Sequence, residues 1–342
     1  MDSISQFTLG AAIGEAVLGK KIGNKAILWG GLAGTIPDLD VVLTPFFDDL
    51  AMLTIHRGYS HALLFSFVVA PLLAWLVAKW YQKSDTTYKE WFWLFFLGLL
   101  THPILDAFTT YGTQLFLPFS DYRVGINNLF IVDPFYTVPF FLCILTCLFL
   151  RRDSRARRII NYAGLTISCL YICFTLGAKV KVNEVFKQAA LKQNINYQRM
   201  LTGTTPLQSI LWYGLLEVED GYLFGYYSLF DKDNEIKFDF IERKAYLIED
   251  VRHTKEVDRI IWFSKGFYAV RENAGKLFLY DIKFGRINLY RNPEKEDIFV
   301  FPFEIEKLGD GTVKLIEQVQ DAPDITIRET AKELWKRIQG IK

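Results

Sequence analysis

Apolar stretches of bilayer length, separated by short polar breaks, fill the first half of the chain, and after about residue 180 they give way to shorter aromatic runs between charged turns. The clear apolar runs fall at about 61–81, 91–108, 134–150 and 159–178, each close to the ~20 residues a helix needs to cross hydrocarbon. Two earlier runs are less regular. Residues 7–18 are rich in Gly and Ala and contain Glu15, and the run from Ala26 to Val42 is interrupted by Pro37-Asp38-Leu39-Asp40. Both predict short, packed or re-entrant helices, which a membrane protein tolerates where the irregular backbone is shielded by protein or faces a cavity.

Beyond Lys181 the pattern predicts a polar domain. Lys179 to Lys192 reads as an amphipathic helix, and a turn-rich piece at Gly203-Thr204-Thr205-Pro206 precedes Ile210-Leu211-Trp212-Tyr213-Gly214. Strand-like runs follow at Tyr222–Phe230, Ile236–Ile241, Ile260–Phe263, Phe267–Val270, Lys276–Tyr280 and Ile298–Phe303, separated by Asp, Asn, Gly and Lys turns. Ile327 to Ile341 has helical periodicity, with Leu334, Trp335 and Ile338 on its expected buried side. The expected fold is α+β: an α-helical multi-pass membrane domain over 1–180, then a mostly antiparallel β domain over 181–342 with a C-terminal helix.

Composition agrees with this division. Hydrophobic residues make up 51% of the chain and aromatic ones 16%, yet 23% is charged, which requires an oily part and a polar part. A net charge of +1 points to no nucleic-acid partner. The stretch Met1-Asp2-Ser3-Ile4-Ser5-Gln6 lacks a basic n-region, so no cleaved signal is expected. Arg151, Arg152, Arg155, Arg157 and Arg158 crowd one loop, and Lys79, Lys83 and Lys89 flank another; the positive-inside rule assigns both to the cytoplasm. The C-terminal domain is then extracytoplasmic, where it is free to cover a pocket or recruit a partner protein.

The same count brings the chemistry together. His56 and His61 fall at the outer end of one span, His102 and Asp106 at the outer end of the next, and Asp133 at the outer start of the third; Asp38 and Asp40 join them if the run from Ala26 crosses outward. Ionisable side chains at the edge of hydrocarbon are costly unless paired, solvated in a cavity or bound to a metal. His102 and Asp106, four apart, share a helix face and can hold one ion together. His56 and His61, five apart, lie ~140° apart around a helix, so His56 is expected on the preceding loop. Of Asp38 and Asp40, one is expected to ligate and the other to orient a histidine, with capping of a broken helix as the plain alternative. Asp133-Pro134 reads equally as a helix cap or a ligand, and Glu15 as a cavity-lining residue or a ligand. Cys143, Cys147, Cys169 and Cys173 are expected to be apolar fillers, and His253 a surface residue.

Pro37-Asp38-Leu39-Asp40, His56-Arg57-Gly58-Tyr59-Ser60-His61 and Thr101-His102-Pro103-Ile104-Leu105-Asp106, with Thr109-Thr110-Tyr111-Gly112, Pro118-Phe119-Ser120 and Asp133-Pro134, resemble the YdjM-type membrane-bound metal-dependent hydrolases, also labelled LexA-binding inner-membrane hydrolases. The resemblance covers roughly the first 180 residues and implies a bacterial or archaeal inner-membrane hydrolase. A LexA-type partner would need a cytoplasmic surface, which this topology hardly offers. One departure stands out: where members often carry Thr-His, this chain has Ser5-Gln6.

The expected chemistry is metal-assisted hydrolysis of a phosphoester or ester in a lipid or lipid-linked substrate. A mixed His and carboxylate set suits zinc, with manganese or iron as alternatives, and the number of ligands allows one or two ions. Asp38, Asp40, His56, His61, His102 and Asp106 are the expected ligands. Asp40 doubles as the orienting carboxylate, Arg57 is expected to hold a phosphate oxygen, and the loop from Thr109 to Tyr122 to form the pocket wall. The other readings are a metal-ion transporter, which calls for ligands near the midplane, and a scaffold with a structural metal. The His-Glu-x-x-His helix of a metalloprotease is absent.

Overall fold

The computed structural model describes residues 1–273, 275–286, 299–308, 313–317 and 327–341. It is an α+β protein that divides into two compact units: Met1–Asp48, Thr54–Leu176 and Pro206–Gln208 form one, and Asp49–Leu53, Gly177–Thr205 and Ser209–Lys342 the other.

The helices are α1 (Ser3–Ile22), α2 (Asn24–Thr35), α3 (Asp49–Ile55), α4 (Leu63–Trp80), α5 (Tyr88–Asp106), α6 (Pro134–Leu148) and α7 (Arg155–Lys192), with 3-10 stretches at Ile36–Phe46 and Tyr59–His61. Asp2 caps α1, its side chain accepting from Ser5 N at 3.0 Å. Gly23, at φ 61°, turns the chain into α2. The two helices then lie against each other through small residues. A methyl group at Gly14 would overlap the Ala26 carbonyl and sit 2.9 Å from Gly30 Cα, and one at Gly10 would sit 2.9 Å from Gly34 Cα. Such close backbone approach replaces side-chain packing where hydrocarbon offers no hydrophobic driving force between helices.

Helix α5 occupies the middle of this unit. Thr87 and Glu90 form a capping box at its start, worth ~1 kcal/mol, and Trp91, Leu94, Phe95 and Leu99 are fully buried with Ala26, Ala33, Ala70 and Ala74. The outer surface is apolar as well: Phe67, Leu72, Trp75 and Leu76 of α4 are all more than half exposed, as lipid-facing side chains are. Among the described residues three helical stretches are long and apolar enough to cross a membrane: Asn24–Phe46, Leu63–Trp80 and Arg155–Lys192. The set differs from the four expected spans. The broken run from Ala26 is included because its helix continues as 3-10 through Pro37; α6 has 15 residues; and α5 carries Lys89, Glu90, His102 and Asp106.

In the second unit two four-stranded antiparallel meanders run β1-β2-β3-β4 and β5-β6-β7-β8. The strands are β1 (Arg199–Thr204), β2 (Leu211–Val218), β3 (Gly221–Ser228), β4 (Asp239–Glu242), β5 (Tyr268–Asn273), β6 (Lys276–Arg286), β7 (Phe299–Lys307) and β8 (Val313–Glu317). Tyr213, Leu215, Tyr222 and Phe224 of the first sheet share a core with Ala269, Tyr280, Ile282 and Phe299 of the second. Val182, Val185, Phe186 and Ala189 of α7 cover Trp212 and Tyr227.

The expected strand at Ile260–Phe263 is instead the end of helix α8 (Lys255–Phe263). Val257, Ile260 and Phe263 are buried at helical spacing, and Glu256 and Asp258 in the first turn favour the helix dipole. Strands β1 and β8 were not expected, and Ile298 lies outside the described residues. The final helix α9 (Ile327–Ile338) buries Ile338 while Trp335 is 59% exposed, contrary to its expected place in the core. Arg337 takes part in the buried side through its pair with Asp231. Cys147 is buried, whereas Cys169 and Cys173 are exposed rather than filling a core; all four cysteines are free.

Two outcomes follow. Gly30→Leu should lower the stability of the helical unit by about 3 kcal/mol, read as the thermal midpoint in detergent, while Gly177→Ala, whose added methyl meets nothing within 4 Å, should be neutral or slightly stabilising. Glu217 is buried, which opposes its charge, but hydrogen bonds from Arg199 and Arg243 prevail and hold its carboxyl below the ordinary value of 4.5. Its stabilising share is therefore complete above pH 4.5 and is lost as pH falls through the depressed folded value. Hydrogen exchange of β1–β3 in the intact protein should accelerate over that interval, and Glu217→Gln, costing on the order of 2 kcal/mol, should remove the dependence.

Candidate metal centre

Three segments of the helical unit supply the site. At the end of α5, His102 and Asp106 share one face, and both are buried. In the 3-10 stretch after α2, Asp38 and Asp40 both turn toward His61, at 3.4 Å from its Nε2 and Nδ1, and leave Leu39 between them 59% exposed. The third segment runs from His56 to His61. It turns at Arg57, whose φ of 59° is left-handed and unusual for a non-glycine residue. The Arg57 backbone N–H donates to Asp40 Oδ2 at 3.0 Å and holds that turn in place.

Both buried imidazoles are fixed through their Nδ1 atoms. His102 Nδ1 lies 2.6 Å from the Gly34 carbonyl, and His61 Nδ1 lies 2.9 Å from Ser60 Oγ and 3.4 Å from Asp40 Oδ2. The Nε2 atoms are thereby directed at each other, 3.1 Å apart. Asp38 Oδ1 is 3.4 Å from each Nε2, and Asp106 Oδ2 is 3.4 Å from that of His61 and 3.7 Å from that of His102. Donors bound tetrahedrally at zinc distances are about 3.3 Å from one another.

These four donors lie within 4.8 Å of one another. Asp106 Oδ2 is buried without a hydrogen bond, and two Nε2 lone pairs cannot face each other at this distance without a proton or a cation between them. The donor set therefore fits a divalent ion. Among the described residues it forms one group, where one or two ions were expected. Asp106 Oδ1 is turned away, accepting from Gln6 Nε2 at 3.0 Å and from the Met1 amino group.

Other expected ligands fall outside the group. Glu15 pairs with Arg157, at 2.7 Å from Nε and 2.6 Å from Nη2, while Arg157 Nη1 also reaches Asn24 and the Leu150 carbonyl. Asp133 caps α6, accepting from Phe135 N at 3.0 Å and from the Tyr171 hydroxyl at 2.8 Å. Asp40 and His56 bond to each other, Oδ1 to Nδ1, at 3.0 Å beside the four donors. Arg57, expected to hold a phosphate oxygen, is 2% exposed. Its Nε is 3.2 Å from Asp106 Oδ2, its Nη1 donates to Thr109 Oγ1 at 2.8 Å, and its plane lies 4.8 Å from the Tyr111 ring. It holds Asp106 in place.

Of the expected pocket-wall loop, Thr109 and Tyr111 reach this neighbourhood, Tyr111 lying 5.4 Å from the His56 ring. Residues that sequence reasoning did not single out complete the surroundings. Ser60 ties Asp40 to His61. Arg123 donates to the His56 and Gly112 carbonyls at 3.2 Å each and lies 4.8 Å from Tyr111. Ser60 stands within the quoted motif and was open to recognition; nothing local marks Arg123.

Residues 1–182 match the family described as YdjM inner membrane protein. The chain is 32% identical over 145 residues to the uncharacterized protein YfhP of Bacillus subtilis (strain 168), a match spanning 40% of this chain and 42% of that protein. It is also 32% identical over 132 residues to the inner membrane protein YbcI of Escherichia coli (strain K12), spanning 36% of this chain and 74% of that one. No solved structure matches.

Glu15→Gln should leave Arg157 buried without its counter-charge and cost about 3 kcal/mol or more. The thermal midpoint in detergent should fall while the amount of metal the protein binds is unchanged.

Proposed function

The chain belongs to the YdjM inner membrane protein family, and we propose that this member is a metal-dependent hydrolase that cleaves a phosphoester or ester of a lipid or lipid-linked substrate at the outer face of the membrane. The observation that carries the reading is the convergence of Asp38, His61, His102 and Asp106, with both imidazoles fixed from behind. These four residues would hold the ion, zinc in the first place and manganese or iron otherwise.

When bound, the ion supplies Lewis acidity and makes a coordinated water acidic enough to act as nucleophile near neutral pH. Asp40 and Ser60 keep His61 turned toward the ion, and the Gly34 carbonyl does the same for His102. Arg57 and Gln6 hold Asp106. His102 and Asp106 at the end of α5 and His61 just before α4 favour a surface reaction over a conduction path. A lipid substrate is supported by the apolar side of the segment that bears Asp38 and Asp40: Leu39, Val42 and Phe46 are 59%, 61% and 77% exposed. The basic residues at 151–158, in the turn before α7 and its first turn, support the outward placement of the site and of the residues after α7.

Elemental analysis of the detergent-purified protein tests this reading. Wild type should carry one zinc or manganese per chain and lose it with His102→Ala combined with Asp106→Ala. A wild type that takes up no metal after incubation with either ion would rule the reading out.

A further inference from the structure

We propose that the start of α7 holds the headgroup of an anionic phospholipid, away from the metal centre and independently of the chemistry there. Arg151, Arg152, Arg155 and Arg158 are all exposed. Arg157, between them, is buried against Glu15, nine residues along α1 from the Gln6 that bonds to Asp106. The first turn of α7 contains no acidic residue, so its arginines stand where the helix dipole repels a cation. Helix stability does not account for them.

Contacts settle which face of α7 points inward. Arg157 bonds to Glu15, Asn161 Nδ2 donates to the Ala12 carbonyl at 3.0 Å, and Ser168 Oγ lies 2.9 Å from the Tyr136 hydroxyl. Arg155, Arg158, Ile159 and Tyr162 occupy the opposite face, at the spacing that brings helical side chains together. Ile159 and Tyr162 are 56% and 55% exposed. Each lies one turn, ~6 Å, deeper along the span than one of the arginines.

The neighbouring cations are already engaged. Arg151 pairs with Asp153 at 3.5 Å, and Arg152 donates to the Lys21 carbonyl at 2.9 Å. Arg155 and Arg158 make no ion pair with the described residues. Two unpaired guanidiniums above an apolar column match a lipid whose phosphodiester lies over its acyl chain. Each planar fork offers paired donors to phosphodiester oxygens, and Ile159 and Tyr162 lie beside the chain. A soluble anion gains nothing from the column, and a zwitterionic headgroup brings its own cation.

The test uses the full chain in detergent, with lipid binding read by native mass spectrometry. Phosphatidylglycerol should bind about 10-fold more tightly than phosphatidylcholine, and Arg155→Gln with Arg158→Gln should remove that advantage. Thermal midpoint without lipid and metal content should stay unchanged, because both side chains are exposed. Lys83→Gln with Lys89→Gln removes the same charge from another exposed basic stretch and should leave the affinity as it is. Equal weakening in the two variants would reduce the binding to diffuse attraction and overturn the site. No weakening, or equal binding of phosphatidylcholine, would overturn it as well. Displacement of the lipid by inorganic phosphate at equal concentration would make the ligand a soluble anion, against the proposal. If the double variant does not fold, Arg155→Gln and Arg158→Gln are read singly, each with an expected loss of about 3-fold.

Discussion

A charge removed from water into an apolar helix bundle has to be matched by a partner, and that requirement organises the helical unit. The matching is concentrated in two places along α1. Near its start, Gln6 bonds to Asp106 and to the His102 carbonyl; near its end, Glu15 takes both arms of Arg157. Nine residues at 1.5 Å each put these places ~14 Å apart. Between them the helix presents small residues and lies tight against α2. Polar attachment at both ends and a flat surface between suit an environment in which apolar side chains gain nothing by leaving lipid for protein.

The candidate site follows from the same constraint. Asp40, Asp106 and two imidazoles are buried together with the part-exposed Asp38 beside them, and the imidazoles, Asp40 and Asp106 each have a direction imposed by a backbone group or a neighbouring side chain. The segment after α2 serves two sides at once. Asp38 and Asp40 face inward, and the residues between and after them face outward as an apolar surface. An ion would satisfy the lone pairs directed inward; the outward surface belongs with hydrocarbon.

Legibility in the sequence varied with distance along the chain. The four-residue spacing of His102 and Asp106 is local, and so was visible; the five-residue spacing of His56 and His61 showed correctly that the two could not share a helix face. The alternating aromatic runs announced most of the strands. What stayed hidden depended on partners far away. Glu15 reads as a ligand candidate until Arg157, more than a hundred residues later, is placed beside it. Arg57 reads as a phosphate clamp in the sequence, where its ion pair with the distant Asp106 is not visible. In α8, Ile260 to Phe263 is too short an apolar run to distinguish strand from helix by itself; Val257 and the acidic first turn decide it.

The meander order of the two sheets bears on the sequence of folding events. Within each sheet every described strand pairs with its neighbour in the chain, so each pairing is local and its closure costs little entropy. The donors of the helical unit come from three segments separated by whole helices. Their cluster closes only when α5 lies against α2, so the donors a metal ion would need come together only in the packed bundle.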